Sequence, residues 1–314
     1  MKIILKSIFF LLFAIVVLVV VWTIWENNRN PITLLDVNPG QITTVTDTPL
    51  VSRYLSENRE YRHLELSTEN IDDIEAYISL PLVRYIEKIP VIIVLGGLEI
   101  GIHNFRYISE PGNNAIIIFQ YPYQPDQWIN NSAIRQIPIV RKSILDVPAQ
   151  VLCLIDWINR QSWADTDRIT LTGYSFGALF VPAIYHLDNV KSQKLGPGVI
   201  AYGGTDIYLL LMTNMKKTRL PFRMMESWFA ATTLHPIEPE IHLEHMNNEF
   251  LVINGTLDDQ IPEESWKKLH DLIPEPKTIF ILEEGHMHPN NTALTMKLVN
   301  LSKQWLRKHN VINP

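Results

Sequence analysis

The hydrophobic pattern begins with one long apolar run near the N-terminus. Residues Ile8 to Trp25 include no charge and no proline, and a helix of about 20 apolar residues spans the core of a bilayer. Lys2 and Lys6 precede the run, and only Arg29 follows it within the next twenty residues. Because basic residues favour the cytoplasmic side, the pattern predicts a transmembrane anchor over residues 1–25, with a cytoplasmic N-terminus and an exocytoplasmic body.

A cleaved secretory signal is the alternative for this run. Such signals usually have a shorter apolar region and end in small residues, whereas Val21 to Trp25 are bulky and include two tryptophans. Tryptophan is common at membrane interfaces. The sequence therefore favours an uncleaved signal-anchor.

A polar segment follows the predicted anchor. Residues 26–58 include Pro31, Pro39, Gly40 and Pro49, and proline and glycine residues at such intervals are typical of loops. The pattern predicts a tether over 26–58 that leads into a domain over 59–314.

Short apolar runs alternate with helical patterns through that domain. The first two runs alternate partly between apolar and polar residues, as antiparallel edge strands do, whereas the later runs are continuous, as in a parallel sheet buried on both faces. The alternation predicts an α/β domain with a mostly parallel central sheet flanked by helices. The predicted strands are Tyr61–Ser67, Ile74–Leu80, Val91–Leu95, Ala115–Phe119, Ile169–Thr172, Val199–Tyr202, Phe250–Ile253 and Thr278–Leu282, and the predicted helices are Ser143–Arg160, Ala178–Leu187, Glu263–Leu272 and Thr292–Lys308. Residues 206–247, rich in Met, Leu and aromatic residues, depart from the alternation and predict a helical insertion.

Composition excludes several classes of protein. The 314 residues include 27 basic and 33 acidic ones, which gives a formal net charge of −6, and they contain no basic cluster. A nucleic-acid-binding protein is therefore not predicted, because such proteins carry a basic surface. The single cysteine, Cys153, excludes an internal disulfide and a multi-cysteine zinc site, and its apolar surroundings indicate a core residue. His286-x-His288 and His242-x-x-His245 have no carboxylate in register, so no metal site is predicted.

The segment Gly173-Tyr174-Ser175-Phe176-Gly177 is the motif that carries chemistry. It matches G-x-S-x-G between a predicted strand and a predicted helix, which is the context of a nucleophile elbow. At such a turn a strained backbone holds the serine hydroxyl clear of the sheet, and glycines avoid collisions with neighbouring elements. Ser175 is the predicted nucleophile.

A serine nucleophile needs a base and a carboxylate that orients the base. Asp258 and His286 each follow a predicted strand, so both are expected at the carboxyl edge of the sheet together with Ser175. Asp259 is an alternative acid and His288 an alternative base. A proline follows His288 and biases its backbone toward an extended conformation, which favours His286.

These motifs resemble those of the α/β-hydrolase superfamily. Residues 167–177 match D-R-I-x-L-x-G-x-S-x-G, residues 255–262 match G-x-x-D-x-x-V-P except for Ile261 in place of valine, and Gly285-His286 matches a late G-H. The resemblance covers roughly residues 60–310. It implies that Ser175 is the nucleophile, Asp258 the orienting acid and His286 the base.

The resemblance also implies an oxyanion hole of two backbone N–H groups. Phe176, which follows the nucleophile, supplies one, and the loop after Val91–Leu95 supplies the other. Similar enzymes have H-G-x in that loop, whereas this chain has Gly96-Gly97-Leu98-Glu99. Leu98 is the predicted second donor and Glu99 the alternative, and Gly96-Gly97 could also be a simple tight turn.

A Ser-His-Asp triad with an oxyanion hole predicts acyl transfer to water through an acyl-enzyme, with no cofactor. We expect the insertion to overhang the serine and to form an acyl pocket from Met225, Trp228 and Phe229. The predicted protein is a carboxylesterase or lipase-like serine hydrolase that acts on apolar or lipid-like esters. An acyl thioesterase or a peptidase-like hydrolase of the same fold is the alternative, and a non-catalytic membrane-tethered binding protein is a second one.

Overall fold

The computed structural model of the protein describes residues 2–50, 56–97, 101–122, 133–191 and 194–314. Nine strands occur within these ranges: β1 (Ile42–Pro49), β2 (Arg59–Thr68), β3 (Ile74–Pro81), β4 (Ile89–Leu95), β5 (Ala115–Gln120), β6 (Ala164–Tyr174), β7 (Gly198–Ala201), β8 (Phe250–Gly255) and β9 (Lys277–Leu282). They form one sheet in the order β1-β2-β3-β5-β4-β6-β7-β8-β9. The pairs from β1 to β3 and between β3 and β5 are antiparallel, and all the others are parallel. The predicted mostly parallel sheet is confirmed.

Helices cover both faces of the sheet. They are α1 (Lys2–Asn27), α2 (Pro31–Leu35), α3 (Ala133–Ile158), α4 (Val181–Lys191), α5 (Ile207–Asn214), α6 (Leu220–Leu234), α7 (Glu240–Leu243), α8 (Glu263–Leu272) and α9 (Thr292–Lys308), with short 3₁₀ helices at Gly101–Tyr107, Ser175–Leu179 and His235–Ile237. The bounds of α8 and α9 agree with the prediction, whereas α3 begins well before Ser143 and contains Pro138 and Pro148 in its interior. An interior proline removes a single backbone hydrogen bond, and the apolar face of α3 is buried against the sheet.

Alternation along the strands divides the apolar core into two layers. On β4, Val91, Ile93 and Leu95 pack with α3 and α4 on one face of the sheet. Ile92 and Val94 point to the opposite face, where they pack in the layer of α9.

Cys153 of α3 is buried, and burial raises the pKa of its thiol to about 11.

The predicted tether over 26–58 is only partly a tether. Ile42–Pro49 pairs along its whole length with β2 as the edge strand β1, and Leu35 of α2 is fully buried. The side chains of β1 are mostly exposed on both faces, so the strand has no apolar alternation by which its sequence would indicate it. Residues 51–55 of this segment lie outside the described residues.

The N-terminal helix α1 is apolar and mostly exposed along its length. Its residues Phe9–Asn27 are long and apolar enough to cross a membrane, and such a helix is either an anchor or a signal sequence. Its C-terminal end contacts the body of the protein: the Trp22 ring stacks on Phe229 of α6 at 5.1 Å and meets Trp228 edge-on at 6.2 Å. The Glu26 carboxylate is buried and forms an ion pair with Arg141 of α3.

Two buried histidines are held in the neutral form. His242 Nε2 donates to the carbonyl of Pro236 over 2.8 Å, and its Nδ1 accepts from His186 over 3.0 Å. His270 Nε2 donates to Asn254 Oδ1 over 2.9 Å. Burial lowers the pKa of His242 and of His270 to about 4.

These histidines predict a loss of stability on mild acidification. An unfolded histidine binds a proton near pH 6.5, whereas these bind one only near pH 4, so the free energy of unfolding falls as the pH drops between those values. Each histidine contributes up to about 1.4 kcal/mol per pH unit. We expect the melting temperature of the full chain in detergent to fall between pH 7 and pH 5, and to fall less in His270→Gln. An equal fall in both proteins would contradict this assignment.

Candidate active site

The backbone at Ser175 has the strained turn that the G-x-S-x-G motif predicts. β6 ends at Tyr174, and Ser175 begins a 3₁₀ helix with a φ of +52°, a left-handed conformation that non-glycine residues rarely adopt. A Cβ atom at Gly173 would collide with Val181, and one at Gly177 would collide with the carbonyl oxygens of Leu95 and Gly96. Both glycines are therefore required for the close packing of this turn.

Three side chains from three strand ends meet at this turn. Ser175 Oγ lies 2.7 Å from His286 Nε2, and His286 Nδ1 lies 2.8 Å from Asp258 Oδ2. Because an ionised carboxylate only accepts hydrogen bonds, Nδ1 carries the proton and Nε2 is left to accept from the serine hydroxyl. The side chains of His286 and Asp258 are 5% and 1% exposed. The structure thus brings together the three residues predicted from the sequence.

The acid loop orients Asp258 through its own backbone. Asp258 Oδ1 accepts hydrogen bonds from the amides of Gln260 at 2.8 Å and Ile261 at 2.9 Å, which leaves Oδ2 for His286. Asp259 is exposed, and its carbonyl accepts from Lys216 at the end of α5. The structure places Asp258, rather than Asp259, against the histidine.

The two candidate histidines lie in different environments. His288 is exposed, and its Nδ1 accepts from the amide of Asn290 at 3.1 Å, inside the turn that precedes α9. The His286 ring is enclosed between Ser175 and Asp258. The geometry therefore favours His286 as the partner of the serine.

Tyr202 is a residue of the site that the sequence did not indicate. Its ring meets that of His286 edge-on, with centroids 5.4 Å apart and planes at 89°. Its hydroxyl is buried with no hydrogen-bond partner among the described residues, and burial together with Asp258 and Glu284 raises its pKa. The sequence predicts Tyr202 at the end of a buried strand, whereas it follows β7 with a φ of +57°, and this turn directs its ring toward the site.

Of the two predicted oxyanion donors, Phe176 lies within the described residues and Leu98 does not. Phe176 directly follows Ser175, and its ring packs edge-on against Tyr121 and Phe180. The Tyr121 hydroxyl donates to the carbonyl of Gly96 over 2.8 Å, which holds the start of the loop beside the elbow. Leu98 and Glu99 lie outside the described residues.

A cavity of about 370 Å³ opens beside Ser175 and His286. It extends between the sheet and α9, and residues 206–247 contribute nothing to its described lining. Trp228 and Phe229 instead contact Trp22, and Met225 is exposed. The expectation that these three residues form the acyl pocket is therefore wrong, because Trp228 and Phe229 contact α1 and Met225 lies at the surface.

No group of three or more His, Cys, Asp or Glu side chains that could hold a metal ion occurs in the described ranges. The rings of His242 and His245 both contact the ring of His186. His242 and His186 also share a hydrogen bond between neutral imidazoles. His286 contacts Ser175, whereas His288 accepts a hydrogen bond from the amide of Asn290.

Comparison with known proteins identifies the fold. No protein-family model and no curated protein sequence matches the chain. Among solved structures, acetyl xylan esterase 1 from a Thermoanaerobacterium species is similar with a TM-score of 0.60 and 17% identity, over 88% of this chain and 92% of that one. The acetyl xylan esterase of a Paenibacillus species gives 0.60 and 14% over 89% and 94%, and a Pyrococcus furiosus esterase gives 0.52 and 16% over 85% and 98%. The chain has the α/β-hydrolase fold.

The two histidines give a direct test of this geometry. His286→Ala removes the hydrogen-bond acceptor of Ser175 and should lower kcat on an activated ester by about 10²–10⁴-fold. His288→Ala, the matched control two residues away, should change kcat by a small factor because that ring is hydrogen-bonded to the amide of Asn290 rather than to Ser175 or Asp258. Turnover of both variants on the same ester decides between them. Near-normal turnover by His286→Ala beside an inactive His288→Ala would reverse the assignment.

Proposed function

We propose that the protein is a serine hydrolase that cleaves carboxylic esters, with Ser175 as nucleophile, His286 as base and Asp258 as orienting acid. The observation that carries the proposal is the chain of two short contacts, 2.7 Å from Ser175 to His286 and 2.8 Å from His286 to Asp258. Nucleophile, base and orienting group in this sequence of contacts are the geometry of acyl-transfer catalysis.

The reaction proceeds in two steps. His286 Nε2 takes the proton of Ser175 as Oγ attacks the ester carbonyl, and the resulting imidazolium gives that proton to the departing alcohol as the acyl-enzyme forms. Water then attacks the acyl-enzyme with His286 again as base, which releases the acid and restores Ser175. Asp258 remains ionised and stabilises the imidazolium in both steps.

The developing oxyanion needs two backbone donors. We assign one to the amide of Phe176, at the start of the 3₁₀ helix that follows the serine, and the other to Leu98 in the loop after β4. The hydrogen bond from Tyr121 to Gly96 supports this assignment because it fixes the first residue of that loop.

Ester hydrolysis is favoured over the other reactions that this geometry allows. The similar structures reported above are esterases by description, which supports ester hydrolysis in general, and at their identities of 14–17% their substrates are not carried over to this chain. A thioester would be attacked in the same way, and the exocytoplasmic location proposed below argues against a CoA thioester. A non-catalytic binding protein has no need of the serine, histidine and carboxylate in hydrogen-bond contact.

We further propose that α1 anchors the protein in a membrane, with the catalytic domain on the exocytoplasmic side. The basic residues before the apolar run support this orientation. The exposed side chains of α6 support membrane contact near the exit of α1. Leu220, Phe222 and Met225 are each more than half exposed, and Lys216, Lys217 and Arg219 flank them as exposed cations. An apolar and basic surface of this kind suits the lipid headgroup region.

Covalent labelling tests the proposed nucleophile. A fluorophosphonate should label the native full chain once, at Ser175, because the activated hydroxyl attacks the tetrahedral phosphorus. Ser175→Ala and the heat-denatured protein should remain unlabelled, with labelling followed by peptide mass spectrometry. A Ser175→Ala variant that hydrolyses esters as fast as the parent would refute the proposal.

Protease accessibility tests the anchor and its orientation. A protease added outside intact cells should digest the catalytic domain and leave a membrane-bound N-terminal fragment, since the domain lies on the outer side. A mature protein that begins after Trp25 and is released in soluble form would exclude the anchor. Digestion only after permeabilisation would exclude the orientation.

A further inference from the structure

The cavity beside Ser175 lies on one face of the sheet. Its strand wall consists of side chains that point toward α9: Ile92 and Val94 of β4, Ile116 of β5, and Thr172 and Tyr174 of β6. Successive residues of a strand point to opposite faces, so this wall is the alternate set to the residues that pack against α3 and α4. The cavity therefore runs along the strands and away from the sheet edge at which Ser175 lies.

One face of α9 forms the opposite wall. Thr295, Val299, Ser302 and Leu306 line the cavity, with spacings of four, three and four residues that place them in one row along a helix. The surface of the cavity is mostly apolar. The row is long enough to accompany the strand wall for about 16 Å at 1.5 Å per residue.

The described part of the segment between β4 and β5 provides little helix on this face. It forms a seven-residue 3₁₀ helix, Gly101–Tyr107, and Tyr107 and Ile108 line one side of the cavity. A short helix at this place leaves α9 and the sheet apart at their centre. The resulting volume of about 370 Å³ is within the range of small-molecule binding pockets.

Several polar groups in the lining are already bonded within the protein. The Tyr174 hydroxyl hydrogen-bonds with Ser302 and Thr172, and burial raises its pKa to about 12. Lys303 Nζ donates to the carbonyl of Ser109 and, over 3.4 Å, to that of Glu110. Burial lowers the pKa of Lys303, with a further lowering by Arg307. The wall thus favours a neutral chain over a charged or strongly polar group.

The mouth of the cavity coincides with the reacting atoms. Ser175, His286 and Met287 line it together with Gly97 of the loop after β4. An ester whose carbonyl carbon lies at Ser175 Oγ can therefore direct one substituent between the sheet and α9 and leave the other at the sheet edge.

We propose that this cavity binds the acyl chain of the substrate and selects medium-length fatty acyl esters. The proposal rests on the proposed function of Ser175 and adds the substrate class. In this proposal chain length is determined by Val299 of α9 and Ile116 of β5, which line the cavity on its helix wall and its strand wall, and not by α6. Each methylene buried there raises kcat/KM by up to about fourfold.

Chain-length profiles test the proposal. The full chain in lipid nanodiscs is given p-nitrophenyl acetate, butyrate, octanoate and palmitate, and kcat/KM is measured for each. We expect octanoate to exceed acetate by at least tenfold. Val299→Phe and Ile116→Phe fill the cavity from opposite walls and should each reduce this ratio at least tenfold, while acetate hydrolysis persists. Met225→Phe on exposed α6 is the matched control and should keep the parent ratio.

A binding measurement separates this proposal from the proposed function. Octanoate should bind to Ser175→Ala in calorimetry and should bind at least tenfold more weakly when Val299→Phe is added. Binding without any ester hydrolysis by the parent chain would support the cavity and refute the hydrolase. Hydrolysis that favours acetate, or filled variants that lose acetate and octanoate equally, would overturn the cavity assignment and leave the hydrolase standing.

Discussion

The close approach of the elbow to the end of β4 is the constraint on which the site depends. Gly177 lies so near the carbonyls of Leu95 and Gly96 that no side chain fits between them. This contact fixes the 3₁₀ helix after Ser175 against the neighbouring strand and brings Phe176 beside the Gly96-Gly97 loop. The positive φ of Ser175 is maintained by the same packing, since an unsupported residue would relax from it.

The remaining parts of the site are positioned by the order of the strands. β6, β7, β8 and β9 are neighbours in the sheet, so the segments that follow them place Ser175, Tyr202, Asp258 and His286 side by side at one edge. The amides of Gln260 and Ile261 then aim one carboxylate oxygen at His286, and Tyr202 limits the ring from the side. Few loop residues are needed because the parallel sheet supplies the alignment.

The sequence could predict those residues whose position depends on short-range signals. Ser175, Asp258 and His286 each follow an apolar run, and two glycines mark the elbow, so their meeting required only a parallel sheet. Strand β1 escaped prediction because its pairing with β2 leaves both of its faces exposed. Tyr202 was not predicted as a site residue because it stands at the end of an apolar run, and its positive φ cannot be read from the sequence. The cavity beside Ser175 could not be predicted, because it results from the packing of α9 on the sheet, whereas the apolar residues of α6 suggested a pocket that they do not form.

Formation of an acyl-enzyme at the elbow is the central claim, and its direct detection is the most direct test. The full chain is mixed with p-nitrophenyl octanoate, quenched in acid within the first turnover and examined by peptide mass spectrometry. The account predicts an octanoyl group on the peptide that contains Ser175, in amounts that match an initial burst of nitrophenol. Steady hydrolysis with no acylated peptide, or with the acyl group on another residue, would contradict it.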